Sequence, residues 1–171
     1  MVAKRRSFAF LQGKSLAQKV RFAKRQAFYN RSAGAVFVMD SEGDDRRRRK
    51  VLDEMSRGRD QEQVSLPIAV GVAHPCIEAW LLVDQDAVRR VAGLQEPLEL
   101  PADPELLPAP CESETGNPKA VLAAWGIRSA AQKDAIATAT NDIKRLEERC
   151  PRGFGRFAQE VRQQIKPLFS D

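Results

Sequence analysis

Histidine, tyrosine and cysteine are scarce in this chain of 171 residues, which holds one His, one Tyr and three Cys, with aromatic residues at 6%. A single histidine, His74, excludes a histidine-rich zinc site and a His–His proton relay. Cys76, Cys111 and Cys150 are odd in number and widely spaced, so they form neither a disulfide framework nor a paired metal-ligand motif, and they point to a reducing cytoplasm. No apolar run reaches the roughly 20 residues of a membrane span. The basic start at residues 1–6 is followed by neither an apolar core nor a small-residue cleavage site, so it does not read as a secretory signal. The nucleophile elbow Gly-x-Ser-x-Gly, the phosphate-binding P-loop and the Gly-x-Gly-x-x-Gly fingerprint are all missing, which removes support from the common hydrolase and nucleotide-enzyme readings. Repeats and low-complexity tracts are also missing. Hydrophobic content of 43% beside 30% charged residues suits a soluble globular protein, and the length suits one domain over residues 1–171.

The most telling shortage is of negative charge. Residues 1–39 contain no Asp or Glu but carry nine of the 28 Lys and Arg, so the other 19 face all 23 acidic residues in the rest of the chain. A basic amino-terminal section supplies sequence-independent attraction to phosphate, as in nucleic-acid binding; a merely solvated basic helix is the bland alternative. The acid then arrives all at once, in Asp40-Ser41-Glu42-Gly43-Asp44-Asp45.

That cluster ends the apolar run at 35–39, which reads as a buried parallel strand. Before it, Ser15 caps an amphipathic basic helix through residue 29, with Leu16, Val20, Ala23 and Ala27 on one face and Lys19, Arg21, Lys24 and Arg25 beside it. Residues 7–11 have apolar character of their own. After the cluster, Asp45 begins a polar helix through about residue 57 that Gly58 ends, and residues 66–73 form a second strand with Pro67 near its start. Two strands flanking a helix make a βαβ unit. His74-Pro75-Cys76-Ile77-Glu78-Ala79-Trp80 then runs from the strand end into a helix. Residues 93–118 are acidic and Pro-rich, a long connection that is either a flap, a partner surface or a passive loop. Helices follow at 117–125, 130–149 and 154–169, making the carboxyl third helical.

In open α/β sheets, ligands bind beyond the carboxyl ends of the strands, which is where these acids fall. Asp40, Glu42 and Asp44 alternate along a turning segment, and hard oxygens converging in this way suit Mg2+ or Mn2+. A solvated turn followed by a capped helix explains the same residues without metal. An EF-hand is excluded, because Val51 stands where the bidentate Glu is needed. Glu78 can add a carboxylate from the second strand end, or serve only the dipole of its helix. His74 reads as a polar strand-end residue or a base, and with Cys76 it is too little for zinc. Arg46 to Lys50 can hold phosphate beside the acids, or form a solvated face. Arg152-Gly153-Phe154-Gly155-Arg156-Phe157 approaches an RNA-recognition signature, but Arg156 stands at an aromatic position and its surroundings are helical, so that reading is set aside.

Val36-Phe37-Val38-Met39-Asp40-Ser41-Glu42-Gly43-Asp44, Ile77-Glu78-Ala79-Trp80-Leu81-Leu82, Asn117-Pro118-Lys119 and the stretch at 150–157 together resemble the Toprim fold of topoisomerases, primases and OLD-type nucleases. They are most similar to a Toprim-like prokaryotic family of unknown function, often associated with ATPase genes and defence loci. The resemblance implies a small parallel Rossmann-like sheet flanked by helices. It also implies an Asp-x-Asp motif at Asp40 and Glu42, with Glu as its second acid, a further acidic ligand at Glu78, and Lys119 as a phosphate or transition-state contact. Toprim domains carry a catalytic Glu after a strand upstream of this motif, and no acid precedes Asp40, so the expectation is a domain lacking that first strand or a site lacking that ligand.

The expected function is therefore metal-dependent hydrolysis of DNA or RNA phosphodiesters in the cytoplasm, in a defence or ATPase-linked setting. Asp40, Glu42, Asp44 and Glu78 would hold the ion, Asp40, Glu42, Glu78 and Lys119 would carry the chemistry, and Lys19, Arg21, Lys24, Arg25, Arg46 and Arg47 would hold nucleic acid. The alternatives are a noncatalytic module binding nucleic acid or an ATPase partner, and an enzyme acting on free nucleotides.

Overall fold

The computed structural model describes residues 13–169. The apolar run at 7–11 and the basic start at 1–6 lie outside the described residues. Helix α1 spans Leu16–Tyr29, and the Ser15 hydroxyl caps it by accepting from the Gln18 N–H at 3.2 Å. Strand β1 spans Ala35–Asp40, helix α2 Asp45–Gln61 and strand β2 Ile68–Ala73. The two strands pair in parallel, from Ala35 opposite Ile68 to Asp40 opposite Ala73, so both carboxyl ends open on one edge.

Helices cover both faces of this small sheet. On one side Val20 of α1 and Val51 and Met55 of α2 pack on Phe37, Ile68, Val70 and Val72. All six residues of β2 are buried, as a strand covered on both faces requires. The other side holds Ala73, Trp80, Val83, Leu146 and Cys150, with Phe154 and Phe157 closing over them. Trp80 stacks on Phe157 at 5.6 Å between centroids and meets Phe154 edge-on at 5.2 Å.

Beyond β2 the chain makes one helical turn, α3 (Glu78–Leu81), then α4 (Gln85–Ala92). Asp84 caps α4 at its start, and Gly93 ends it at φ +69°, a left-handed conformation that favours glycine. The 93–118 connection holds a single 3-10 turn at Pro104–Leu106. Helices α5 (Pro118–Ala124) and α6 (Ala130–Ala139) pack on α3, and Leu82, Val88, Leu122, Ile127 and Ile136 form a core of their own there. Helix α7 (Ile143–Arg149), a π-helical turn at Pro151–Gly155, helix α8 (Arg156–Gln164) and a 3-10 turn at Lys166–Phe169 complete the described chain.

Several boundaries differ from those expected. Helix α2 runs through Gly58 to Gln61, because Gly58 marks a close approach to α1 rather than a stop: a Cβ there would lie 2.4 Å from the Ala17 carbonyl oxygen. Strand β2 begins at Ile68, after Pro67. The helix expected over 130–149 is broken at 140–142, where Asp142 caps α7 and the Thr140 hydroxyl turns back to the Ile136 carbonyl at 2.9 Å. The helix expected over 154–169 is shortened at both ends by the π turn and the final 3-10 turn.

Candidate active site

Asp40 is the last residue of β1, and its side chain reaches across the strand ends, where Oδ1 accepts from the Ile77 N–H at 2.9 Å. Burial raises the Asp40 carboxyl above its ordinary value, and the nearby carboxylates of Glu78 and Glu42 push the same way, against the Ile77 N–H and the Lys119 charge. Asp40, Glu78 and Lys119, which come from three separate elements, thus lie within electrostatic reach of one another's site.

Glu78 opens α3 and is only 6% exposed. Its Oε1 accepts from Lys133 Nζ of α6 at 2.8 Å, while Oε2 is buried without a hydrogen-bond partner. Burial on its own would raise the Glu78 carboxyl. The Lys133 ammonium, with the Glu78 N–H and the Cys76 thiol close by, instead holds it below the usual range as an anion. The Cys76 thiol is pushed up to about 12 by burial and by its Glu78 and Asp40 neighbours, so it stays protonated and unreactive.

The rest of the acidic turn points elsewhere. Glu42 adopts φ +56°, donates its N–H to the Pro75 carbonyl at 2.9 Å and pairs its exposed carboxylate with Arg47 at 2.6 Å. Asp44 caps α2, with Oδ1 accepting from Arg46 N at 2.7 Å and Arg47 N at 3.2 Å, bonds that hold its carboxyl low. Ser41 is fully buried, with Oγ 2.8 Å from His74 Nδ1, and burial keeps that imidazole below its ordinary value and neutral. This pair ties the two strand ends together.

The structure therefore brings Asp40, Glu78 and Lys119 together and leaves Glu42 and Asp44 engaged with α2. Among the described residues, no group of three or more His, Cys, Asp or Glu side chains is gathered for a metal. A four-carboxylate cage does not fit. Two carboxylates, one of them with an orphaned buried oxygen, would suit only an ion that takes most of its shell from outside the protein, as Mg2+ commonly does. Lys133, which no local pattern marks, enters from 55 residues away.

The basic residues expected at a nucleic-acid surface are divided. Lys24 is buried and donates to the Arg59 and Glu62 carbonyls at 3.0 and 2.9 Å, where it satisfies the carbonyl end of α2. Arg25 pairs with Glu62 at 2.9 Å, and Arg21 carries a buried Nε without a partner. Lys19 is half-buried on the same helix, whereas Arg46 and Arg47 are exposed at the start of α2. The described residues contain no helix long and apolar enough to cross a membrane.

Comparison of the chain with protein-family models, with curated proteins and with solved structures returns no match. What the site can do follows from its own residues.

One consequence concerns stability. Because the Asp40 carboxyl is raised in the folded state, the native protein holds that proton more tightly than the unfolded chain, and its ionisation subtracts stability as pH rises past the ordinary 3.8. Asp40→Asn keeps an oxygen for the Ile77 N–H and removes the charge. Thermal melts should place the variant above the parent at pH 7, with the gap closing below pH 3.8. A lower midpoint at pH 7 would mean that attraction to Lys119 outweighs burial.

Proposed function

We propose that this chain is a Toprim-like α/β protein that hydrolyses phosphodiester bonds of DNA or RNA with Mg2+ or Mn2+. The observation that carries the reading is the pair of partly desolvated carboxylates, Asp40 at the end of β1 and Glu78 at the start of α3, with one Glu78 oxygen buried and unpartnered. Asp40 and Glu78 would hold the ion, which when bound neutralises charge at the scissile phosphate and lowers the pKa of a water. Lys133 keeps Glu78 anionic at neutral pH through its 2.8 Å contact. Exposed Lys119, in the first turn of α5 behind the Asn117 cap, lies within electrostatic reach of Asp40 and would meet a phosphate oxygen. Glu42 and Asp44 would orient Arg47 and the start of α2 rather than contact the ion.

The test is cleavage of single- and double-stranded DNA and RNA with each metal. Asp40→Asn and Glu78→Gln should each lower the rate on the order of 100-fold or more, beyond what loss of an outer-shell partner does. The reading fails if the parent cleaves nothing with either metal, or if both variants match it.

A noncatalytic module, docking nucleic acid or an ATPase partner, is the second reading. It is favoured by the diversion of Glu42 and Asp44 to α2, which leaves the site short of acids. Nucleic-acid binding that falls with salt but ignores metal, without cleavage, would select it.

A further inference from the structure

A cleft with a cavity of about 340 Å3 lies between α2 and α8, floored by β2 at Val70, Gly71 and Val72. Arg48 and Arg49 reach it from α2, and Arg152 and Arg156 from the π turn and α8. Some arginines of the chain are paired with acids: Arg25 with Glu62, Arg47 with Glu42, Arg59 with Asp60 and Glu160, Arg162 with Glu147. Among the described residues, no hydrogen bond or ion pair holds the guanidinium of Arg49, Arg152 or Arg156. Glu160, the one acid lining the cleft, is already paired with Arg59 at 2.9 Å. Unneutralised positive charge is thus concentrated on two facing walls.

We propose that this cleft binds the phosphate groups of a nucleic-acid strand, with Arg49, Arg152 and Arg156 as the phosphate contacts and Arg48 holding the walls together. The proposal rests on the nucleic-acid part of the reading above and is independent of cleavage.

The walls are set before any ligand arrives. Arg48 donates from Nη1 to the Arg152 carbonyl at 2.8 Å, joining α2 to the π turn, and its other contact is Asp45 at 3.1 Å. Glu105, 1% exposed, accepts from the Arg152 and Gly153 N–H groups at 2.7 Å each, which fixes the turn that carries Arg152. Phe157 lies against Gly71, where a Cβ would come within 2.5 Å of its ring, and stacks on Trp80, so the wall that α8 forms is fixed by packing. Guanidinium groups favour phosphate because their planar donors match two of its oxygens at once. The cleft also reaches the carboxyl end of β2, where Gly153 sits against the Val72 carbonyl and the His74 N–H: a Cβ on it would come within 2.9 and 3.1 Å of them.

The experiment measures binding of a fluorescently labelled single-stranded oligonucleotide by anisotropy across a salt series, without divalent metal, for the full chain. Arg49→Ala/Arg156→Ala changes two exposed side chains and should leave the circular dichroism spectrum unchanged. It should weaken binding about tenfold and lower the slope of log affinity against log salt by roughly 1.4, the value for two phosphate contacts on a single strand. Arg49→Lys/Arg156→Lys should restore most of the slope while leaving affinity reduced, because charge returns without the planar fork. Unchanged affinity and slope in the alanine variant overturn the proposal. Binding of a mononucleotide or inorganic phosphate as tight as that of the oligonucleotide overturns it as well, since the strand would then be irrelevant. Binding is measured without divalent metal and cleavage with it, so loss of binding and loss of cleavage are read separately.

Discussion

Glu105→Ala should destabilise the protein by about 2–4 kcal/mol, a large part of the roughly 5–15 kcal/mol that holds a domain together. The carboxylate lies within the 93–118 connection, yet it is 1% exposed and accepts two backbone bonds of 2.7 Å from residues 47 and 48 positions later. Burial raises its carboxyl above the ordinary value, so holding the anion there is itself unfavourable, and this offsets part of the loss on substitution. Most of the loss comes from the pair of N–H groups left facing apolar surroundings, at about 1–3 kcal/mol each. A replacement partner has little room to enter, because Gly153 sits against the Val72 carbonyl and the His74 N–H, and a Cβ on it would come within 2.9 and 3.1 Å of them. Glu105→Gln keeps one acceptor and turns an amide N–H2 toward the other donor, so it should lose roughly half as much. Urea unfolding followed by circular dichroism gives the midpoint shift at constant m. A midpoint equal to the parent's for Glu105→Ala would show that water enters and satisfies both donors.

Gly58→Ala should also destabilise, against the sign that helix propensity sets. In an exposed helix interior, alanine is better than glycine by about 1 kcal/mol. In α2 the new methyl carbon would sit 2.4 Å from the Ala17 carbonyl oxygen and 2.9 Å from its Cα. These are backbone atoms, which have no rotamer to turn aside. Helix α1 would have to move away from α2 and would carry Lys24 off the carbonyls that it caps. Overpacking of this kind costs typically 1–3 kcal/mol and more when backbone must shift, so a net loss of about 2 kcal/mol is expected after the propensity gain. Gly93→Ala is the control: no atom lies within 4 Å of its Cβ position, and only the left-handed φ opposes it. It should lose about 1 kcal/mol. If Gly58→Ala proves as stable as the parent, the two helices are not in the contact described.

The βαβ portion was legible because its signals are local. The Ser15 cap, the apolar runs that became β1 and β2, and the acids at the start of α2 each act on neighbours within a few residues. Helix α4 carries two legible signals, Asp84 and Gly93, but with only eight residues between them its periodicity is too brief to stand out. Gly58 shows the opposite failure. Its role is an approach to Ala17, 41 residues away in sequence on another helix, and a glycine in a helix looks the same whether it ends the helix or admits a neighbour. At the site, the parallel register places Asp40 and Glu78 near one another, as two adjacent strand ends suggest. The spacing of Glu42 and Asp44 did not reveal their direction, because a positive φ at Glu42 and the capping demand of α2 turn them away. Lys133 and Glu105 act across 55 and 47 residues, and no periodicity marks either.

The 55-residue separation between Glu78 and Lys133 also orders events during synthesis. A ribosome extending the chain at about 5–20 residues per second exposes both strands and their carboxylates several seconds before α6 emerges. In that interval Glu78 has no ammonium to face and gains nothing from leaving water. The Glu78 carboxylate of the nascent chain therefore stays hydrated until α6 docks and Lys133 meets it.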